Sequence, residues 1–121
     1  MHFITNIFIA FVAILHIYIL VLEMFFWTKP KGRKTFDTNE KFAEETKVLA
    51  ANQGLYNGFL AAGLIWSLLE KDWHNAFYIK LFFLSCVIIA GIYGAYSTKK
   101  IKLFYFQGLP ALIALILLHF K

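Results

Sequence analysis

Four long apolar stretches, separated by short polar segments, dominate the hydrophobic pattern of this chain. They span about residues 3–27, 46–69, 76–96 and 101–120. Each stretch has roughly the 20 mostly apolar residues that a helix needs to cross the hydrocarbon core of a bilayer. The pattern therefore predicts an all-α fold: a four-helix transmembrane bundle that forms a single integral membrane domain over residues 1–121.

The first polar segment predicts where the second helix begins. Residues 28–41 combine lysine, arginine, glycine and proline, which is typical of a loop. At the end of this loop, Asp37, Thr38 and Asn39 offer N-cap side chains for a helix that begins near Glu40. We therefore predict a loop over the whole first connection and a capped helix after it.

Small residues indicate where helices approach each other closely. Gly54 and Gly58 are four positions apart on the second predicted helix, and Gly91 and Gly94 belong to a similar strip on the third. Glycines at this spacing allow close contact between helix backbones. In the fourth helix Pro110 cannot donate the usual backbone hydrogen bond to the preceding turn, which predicts a kink or a ligand contact there.

The composition excludes most soluble classes. Apolar residues make up 60% of the chain and charged residues 16%, whereas soluble domains average about 45–50% and about 25%. The net charge of +5 would suggest nucleic-acid binding in a soluble protein. In this chain the charge has to be placed relative to the apolar stretches before it is interpreted.

Most of the basic residues lie in two connections, residues 28–41 and 97–102. The positive-inside rule places these first and third loops in the cytoplasm and both termini outside. Lys80 interrupts the third apolar stretch, and we expect its long side chain to extend toward the outer membrane surface. The expected partners are therefore membrane lipids and not nucleic acid.

Two ionisable residues in the first apolar stretch are candidate functional residues, because charged groups inside a span are costly and usually face the bundle interior. Glu23 follows the apolar run 17–22, and His16 lies seven positions before it. Seven residues fall about 20° short of two full turns, so both side chains share a face, about 10 Å apart along the axis. Trp27 continues this stripe. A carboxyl and an imidazole on one stripe favour a pocket in which a proton is exchanged.

Polar side chains on two other predicted helices reach the same depth in the membrane. Lipid cannot satisfy such groups, so they should face one another or a water-filled pocket, although each amide alone would also serve as an interhelical hydrogen bond. We therefore predict a ligand-binding pocket in the cytoplasmic half of the bundle. Its residues are His16, Glu23, Asn52, Gln53, Asn57 and Gln107, with Trp27, Tyr56, Tyr93 and Tyr105 in secondary roles.

No motif in the sequence predicts a cofactor or a metal site. There is no glycine-rich phosphate loop, zinc-protease helix or nucleophile elbow. Cys86 is interpreted as a small packing residue. His2, His74 and His119 should share the outer rim, but their spacing matches no metal-ligand motif. We therefore predict neither a cofactor nor a bound metal.

Four segments together resemble a known family. They are His16-Ile-Tyr-Ile-Leu-Val-Leu-Glu23-Met-Phe-Phe-Trp27, Phe42-Ala-Glu-Glu-Thr-Lys-Val-Leu-Ala-Ala-Asn52-Gln53-Gly54-Leu-Tyr-Asn57-Gly58, Ala90-Gly91-Ile-Tyr-Gly94 and Gln107-Gly108-Leu-Pro110-Ala. The chain closely resembles the bacterial membrane family called domain of unknown function 1304, over almost its whole length. The resemblance implies a small four-helix, multi-pass protein of the bacterial cytoplasmic (inner) membrane, and it implies no established activity.

Three functions are compatible with these residues. The preferred hypothesis is a protein that binds or transports a small amphiphilic or cationic ligand with proton coupling, as a homodimer or homotrimer because four short spans enclose little volume. The second is an enzyme acting on a lipid or quinone-like substrate, with His16 or Glu23 as general acid or base. The third is a structural or accessory membrane subunit whose polar residues only fix helix packing.

Overall fold

The computed structural model describes residues 2–120, and every regular element in them is helical. The predicted all-α class is therefore confirmed. The described residues form five helices, which are α1 (His2–Phe25), α2 (Pro30–Phe36), α3 (Glu40–Leu69), α4 (Trp73–Thr98) and α5 (Ile101–Leu118).

Helix α2 lies in the segment that the sequence pattern predicts to be a loop, and that prediction is wrong. Pro30 occupies the first turn of α2, where its missing N–H and its fixed φ are compatible with a helix. The helix ends at Phe36, and the next residue, Asp37, caps it with a left-handed φ of 56° while its N–H bonds the carbonyl of Arg33. With seven residues, α2 is too short for apolar periodicity to reveal it.

The start of α3 agrees with the prediction. The helix begins at Glu40, and of the three candidate caps Asn39 is the one that acts, because its Oδ1 accepts a hydrogen bond from the Phe42 N–H at 2.8 Å. Helix α4 is capped in the same way by Asp72, which accepts from the Asn75 N–H at 3.3 Å. This cap starts α4 three residues before the predicted apolar boundary at Ala76.

Three of the helices in residues 2–120 are long and apolar enough to cross a membrane: α1, α4 and α5. This indicates a multi-pass membrane protein. Helix α3 is the longest at 30 residues, but it is not among the three, because Asn52, Gln53 and Asn57 interrupt its apolar body.

The described residues divide into two compact units. Residues 16–59 form one, which we call the Glu23 unit, and residues 2–15 with 60–120 form the other, which we call the Lys80 unit. The core of the Lys80 unit consists of small and branched apolar side chains from four helices. Lipid tails are as apolar as these side chains, so packing contacts rather than water exclusion hold such a core together. Its buried members are Ile9, Val12, Ala13, Leu64, Leu84, Val87, Ala111, Ala114 and Leu118.

Glycine allows α4 and α5 to make backbone contact in the Lys80 unit. A Cβ placed on Gly91 would lie 3.0 Å from both the Cα and the N of Gly108. Gly108 closes a π-helical turn, Phe104–Gly108, in which the Leu109 N–H bonds the carbonyl of Phe104. The turn ends two residues before Pro110, close to the irregularity that the sequence predicts, and it widens the backbone in the turn that precedes the proline.

We expect Gly91→Leu to lower the free energy of unfolding by about 2 kcal/mol, because the new side chain would have to push the Gly108 backbone away. Gly94→Leu is the matched control on the same helix. A Cβ at Gly94 meets no atom within 4 Å, so this variant should be neutral or slightly stabilising through its better helix propensity. Unfolding in mixed micelles, followed by tryptophan fluorescence, measures both variants. Equal losses would show that the α4–α5 contact does not depend on Gly91.

Candidate functional site

The Glu23 unit is built on a close contact between α1 and α3. A Cβ on Gly54 would lie 2.6 Å from Met24 Cγ, 3.1 Å from Glu23 Cβ and 3.2 Å from the carbonyl oxygen of Leu20. One turn further along α3, a Cβ on Gly58 would lie 2.6 Å from Leu20 Cδ1. The predicted glycine strip of α3 therefore packs directly on the turn of α1 that carries Glu23.

This contact brings Glu23 and Asn57 together. Asn57 lies three residues after Gly54 on α3, and its Nδ2 donates a hydrogen bond of 2.7 Å to Glu23 Oε1. Both side chains are half-buried. The distance is at the short end of the range for an N–H···O bond, as expected for a carboxyl acceptor. Two of the residues predicted to line a pocket are therefore direct neighbours.

The second carboxyl oxygen of Glu23 accepts no hydrogen bond from residues 2–120, and no lysine, arginine or histidine of that range forms an ion pair with it. It is not a fully buried atom. An acid with one oxygen held by an amide and the other open can take a proton or contact a cation at a defined position.

His16 has a completely buried side chain. It belongs to the same helix as Glu23, seven residues earlier, and the regular α-helix between them keeps both on one face. A buried imidazole is a group that donates through one nitrogen and accepts through the other, so it can relay or hold a proton without leaving its place.

Trp27 does not continue the stripe of α1, because the helix ends at Phe25 and Trp27 lies in the following turn. Its Nε1–H donates a 3.0 Å hydrogen bond to Thr46 Oγ1, and the Thr46 hydroxyl in turn donates to the carbonyl of Phe42 at 2.7 Å. The indole ring also contacts the ring of Phe36, with centroids 5.1 Å apart. Trp27 thus connects the end of α1 with α2 and the start of α3.

The remaining predicted residues belong partly to each of the two units. Asn52, Gln53 and Tyr56 are exposed on α3. In the Lys80 unit, the half-buried Gln107 belongs to the π-helical turn, and Tyr93 and Tyr105 are exposed. The roles of these residues as ligand contacts stay predictions.

The Lys80 unit contains a second polar pair that sequence reasoning missed. Lys80 on α4 is only 9% exposed, and its Nζ donates a 2.9 Å hydrogen bond to Asn6 Oδ1 on α1. Lys80, which we expected to extend along the membrane toward the surface, is instead held against α1 by Asn6. The sequence does mark both residues, because Asn6 and Lys80 are polar positions within apolar stretches. No feature near either residue in the sequence indicates that they contact each other.

A protein family and a curated relative each match this chain over nearly its whole length. A family described as "Protein of unknown function (DUF1304)" matches residues 10–119. The chain is also similar to the "Uncharacterized protein YpaA" of Lactococcus lactis subsp. lactis (strain IL1403), with 30% identity over 118 residues that cover 96% of this chain and 97% of the relative. No solved structure matches the chain. These matches confirm the resemblance seen in the four sequence segments.

Proposed function

Because this chain belongs to the DUF1304 family, whose description assigns no activity, we propose a function from its own residues. It is a protein of the bacterial inner membrane that binds or transports a small amphiphilic or cationic ligand, with proton coupling through Glu23. The Glu23–Asn57 hydrogen bond is the observation that carries this proposal.

The proposal includes four membrane spans, with α3 as the fourth. Thirty residues of α-helix are about 45 Å long, which exceeds the roughly 30 Å hydrocarbon core even when the polar first turns are set aside. The basic first and third loops then face the cytoplasm and both termini face outward. In this arrangement the Glu23–Asn57 pair lies near the cytoplasmic end of α1.

The chemistry of the pair supports coupling between a proton and a cation. Asn57 holds one carboxyl oxygen of Glu23, so the other stays in place for a ligand. A proton and a cationic group compete for the same carboxyl, and binding of the cation releases the proton. Leu20 and Met24, on the same turn of α1 as Glu23, pack on Gly54 and Gly58 of α3, which suits a ligand with an apolar part. His16 is the proton partner on the same face of α1, and the Asn57 amide fixes the orientation of the Glu23 carboxyl.

We expect wild-type protein in detergent to release up to about one proton for each tetraphenylphosphonium cation bound, because one carboxyl is exchanged. Glu23→Gln should release none, although its side-chain oxygen can still accept from Asn57. Calorimetric titration in two buffers of different ionisation enthalpy counts the protons. Glu45→Gln is the control, since Glu45 is exposed on α3 and should behave as wild type. If Glu23→Gln releases as many protons as wild type, Glu23 is not the coupled group.

A further inference from the structure

An exposed polar stripe runs along α3, centred about 90° around the helix from Asn57, with Gln53 next to Asn57 at a spacing of four residues. Asn52, Gln53 and Tyr56 come three, four and seven residues after Leu49, so all four lie within about 100° of one another around the helix. All four are exposed, Leu49 at 66% and Tyr56 at 54%. We call these four residues the amide stripe.

In a helix that lies in a bilayer, the amide stripe exposes polar groups to hydrocarbon. The inference drawn from it rests on the proposed four-span arrangement. Each primary amide has two N–H donors and a carbonyl acceptor, and hydrocarbon satisfies none of them. A neighbouring polar surface removes that penalty. Asn57, the third amide of this helix body, already has a partner in Glu23, whereas neither Asn52 nor Gln53 makes a side-chain hydrogen bond within residues 2–120.

We propose that the amide stripe is the contact surface between two copies of this chain, related by a two-fold axis along the membrane normal. All copies inserted by the same charge rule have the same orientation, so residues of equal depth meet across such an axis. Asn52 and Gln53 of one copy then face Gln53 and Asn52 of the other. Each amide donates and accepts, so the stripe is complementary to itself.

The composition of the surrounding helix favours an identical partner over a different protein. No charged residue lies between Val48 and Trp66, so nothing on this face selects a partner of opposite charge. The large neighbours Leu49 and Tyr56 supply the apolar packing that membrane helix pairs need in addition to hydrogen bonds. An amide layer flanked by apolar side chains is sufficient to set the depth at which two such helices meet.

Disulfide cross-linking in native membranes tests the surface directly. Cys86 is the single cysteine of the sequence, so Cys86→Ser provides a cysteine-free background. In this background Gln53→Cys places a thiol on the stripe. Leu55→Cys is the matched control, because Leu55 is also exposed and lies only two residues away, yet it points about 200° around the helix from Gln53. After mild oxidation we expect about tenfold more covalent dimer from Gln53→Cys than from Leu55→Cys, because only the first thiol is held beside its copy.

A second measurement covers the case in which the cysteine disturbs the surface. Native mass spectrometry from mild detergent should show wild type as a dimer and the double variant Asn52→Leu/Gln53→Leu as a monomer. A monomeric wild type, a double variant that stays dimeric, equal cross-linking of both cysteines, or cross-linking only to another protein would each overturn the proposal.

One further readout separates this proposal from the proposed function. If a water-soluble maleimide labels Gln53→Cys as fast as Lys34→Cys in the first loop, α3 is not in the bilayer, and both the four-span arrangement and the dimer surface are overturned. Slow labelling together with no cross-linking overturns the dimer surface alone. The calorimetric titration of Glu23→Gln tests the proposed proton coupling separately, and its result does not depend on the dimer surface.

Discussion

Replacing Asn6 with leucine should lower the free energy of unfolding by about 3 kcal/mol, because a buried lysine amine is then left without its protein acceptor. Lys80 Nζ makes its one hydrogen bond within residues 2–120 to Asn6 Oδ1, at 2.9 Å. Leucine is larger than asparagine, so the substitution leaves no cavity and the expected loss comes from the missing acceptor. Unfolding in mixed micelles, followed by tryptophan fluorescence, gives the free energy.

Lys80→Met separates the loss of the acceptor from general disturbance of the α1–α4 contact. Methionine fills the space of the lysine stem and removes the amine, so this variant should lose only about 1 kcal/mol. Lys102→Met, at an exposed lysine of α5, should stay within about 0.5 kcal/mol of wild type. If Asn6→Leu is no more destabilising than Lys80→Met, the amine does not depend on Asn6.

Gly54→Leu should also lower the free energy of unfolding by about 3 kcal/mol, because α1 and α3 touch at this glycine and overpacking a tight contact is destabilising. Even a single Cβ there would lie 2.6 Å from Met24 Cγ and 3.2 Å from the backbone oxygen of Leu20. To relieve this steric overlap the two helices have to move apart, which also lengthens the hydrogen bond between Glu23 and Asn57. Folded Gly54→Leu protein should therefore release fewer protons than wild type when it binds tetraphenylphosphonium.

Ala62→Leu is the control for Gly54→Leu, since it adds a large apolar side chain to an exposed position of the same helix. Its stability should stay within about 0.5 kcal/mol of wild type, because no packed neighbour has to move. Thermal unfolding of the two variants in one detergent provides the comparison. A Gly54→Leu protein as stable as Ala62→Leu would contradict the close α1–α3 contact.

Local features of the sequence predicted most helix boundaries. The Asn39 side chain caps α3 within one turn of its own position, so the start at Glu40 follows from neighbouring residues alone. Pro110 likewise acts on the turn directly before it, where the π-helical segment lies. Helix α2 was not predicted, because a seven-residue helix on a basic segment has neither the length nor the apolar period that signals one.

The candidate site was predictable only in part. Glu23 is unusual in its own stretch, so the sequence alone singles it out. Its partner was one of several amides, and three of them on α3 are close in sequence. Asn52 and Asn57 are five residues apart and therefore about 140° apart around the helix, so both cannot face the same carboxyl. The choice between them depends on which side of α3 faces α1.

By itself, then, the sequence determined the helical class, the apolar lengths and the identity of the unusual acid, because these depend on composition and on residues near one another in the chain. Only the tertiary structure decided the polar pairs. Gly54 and Gly58 turn one side of α3 toward α1, which pairs Asn57 with Glu23 and leaves Asn52 and Gln53 exposed. Lys80 meets Asn6, 74 positions away in the chain, and a contact between such distant residues is set by helix packing and not by any local pattern.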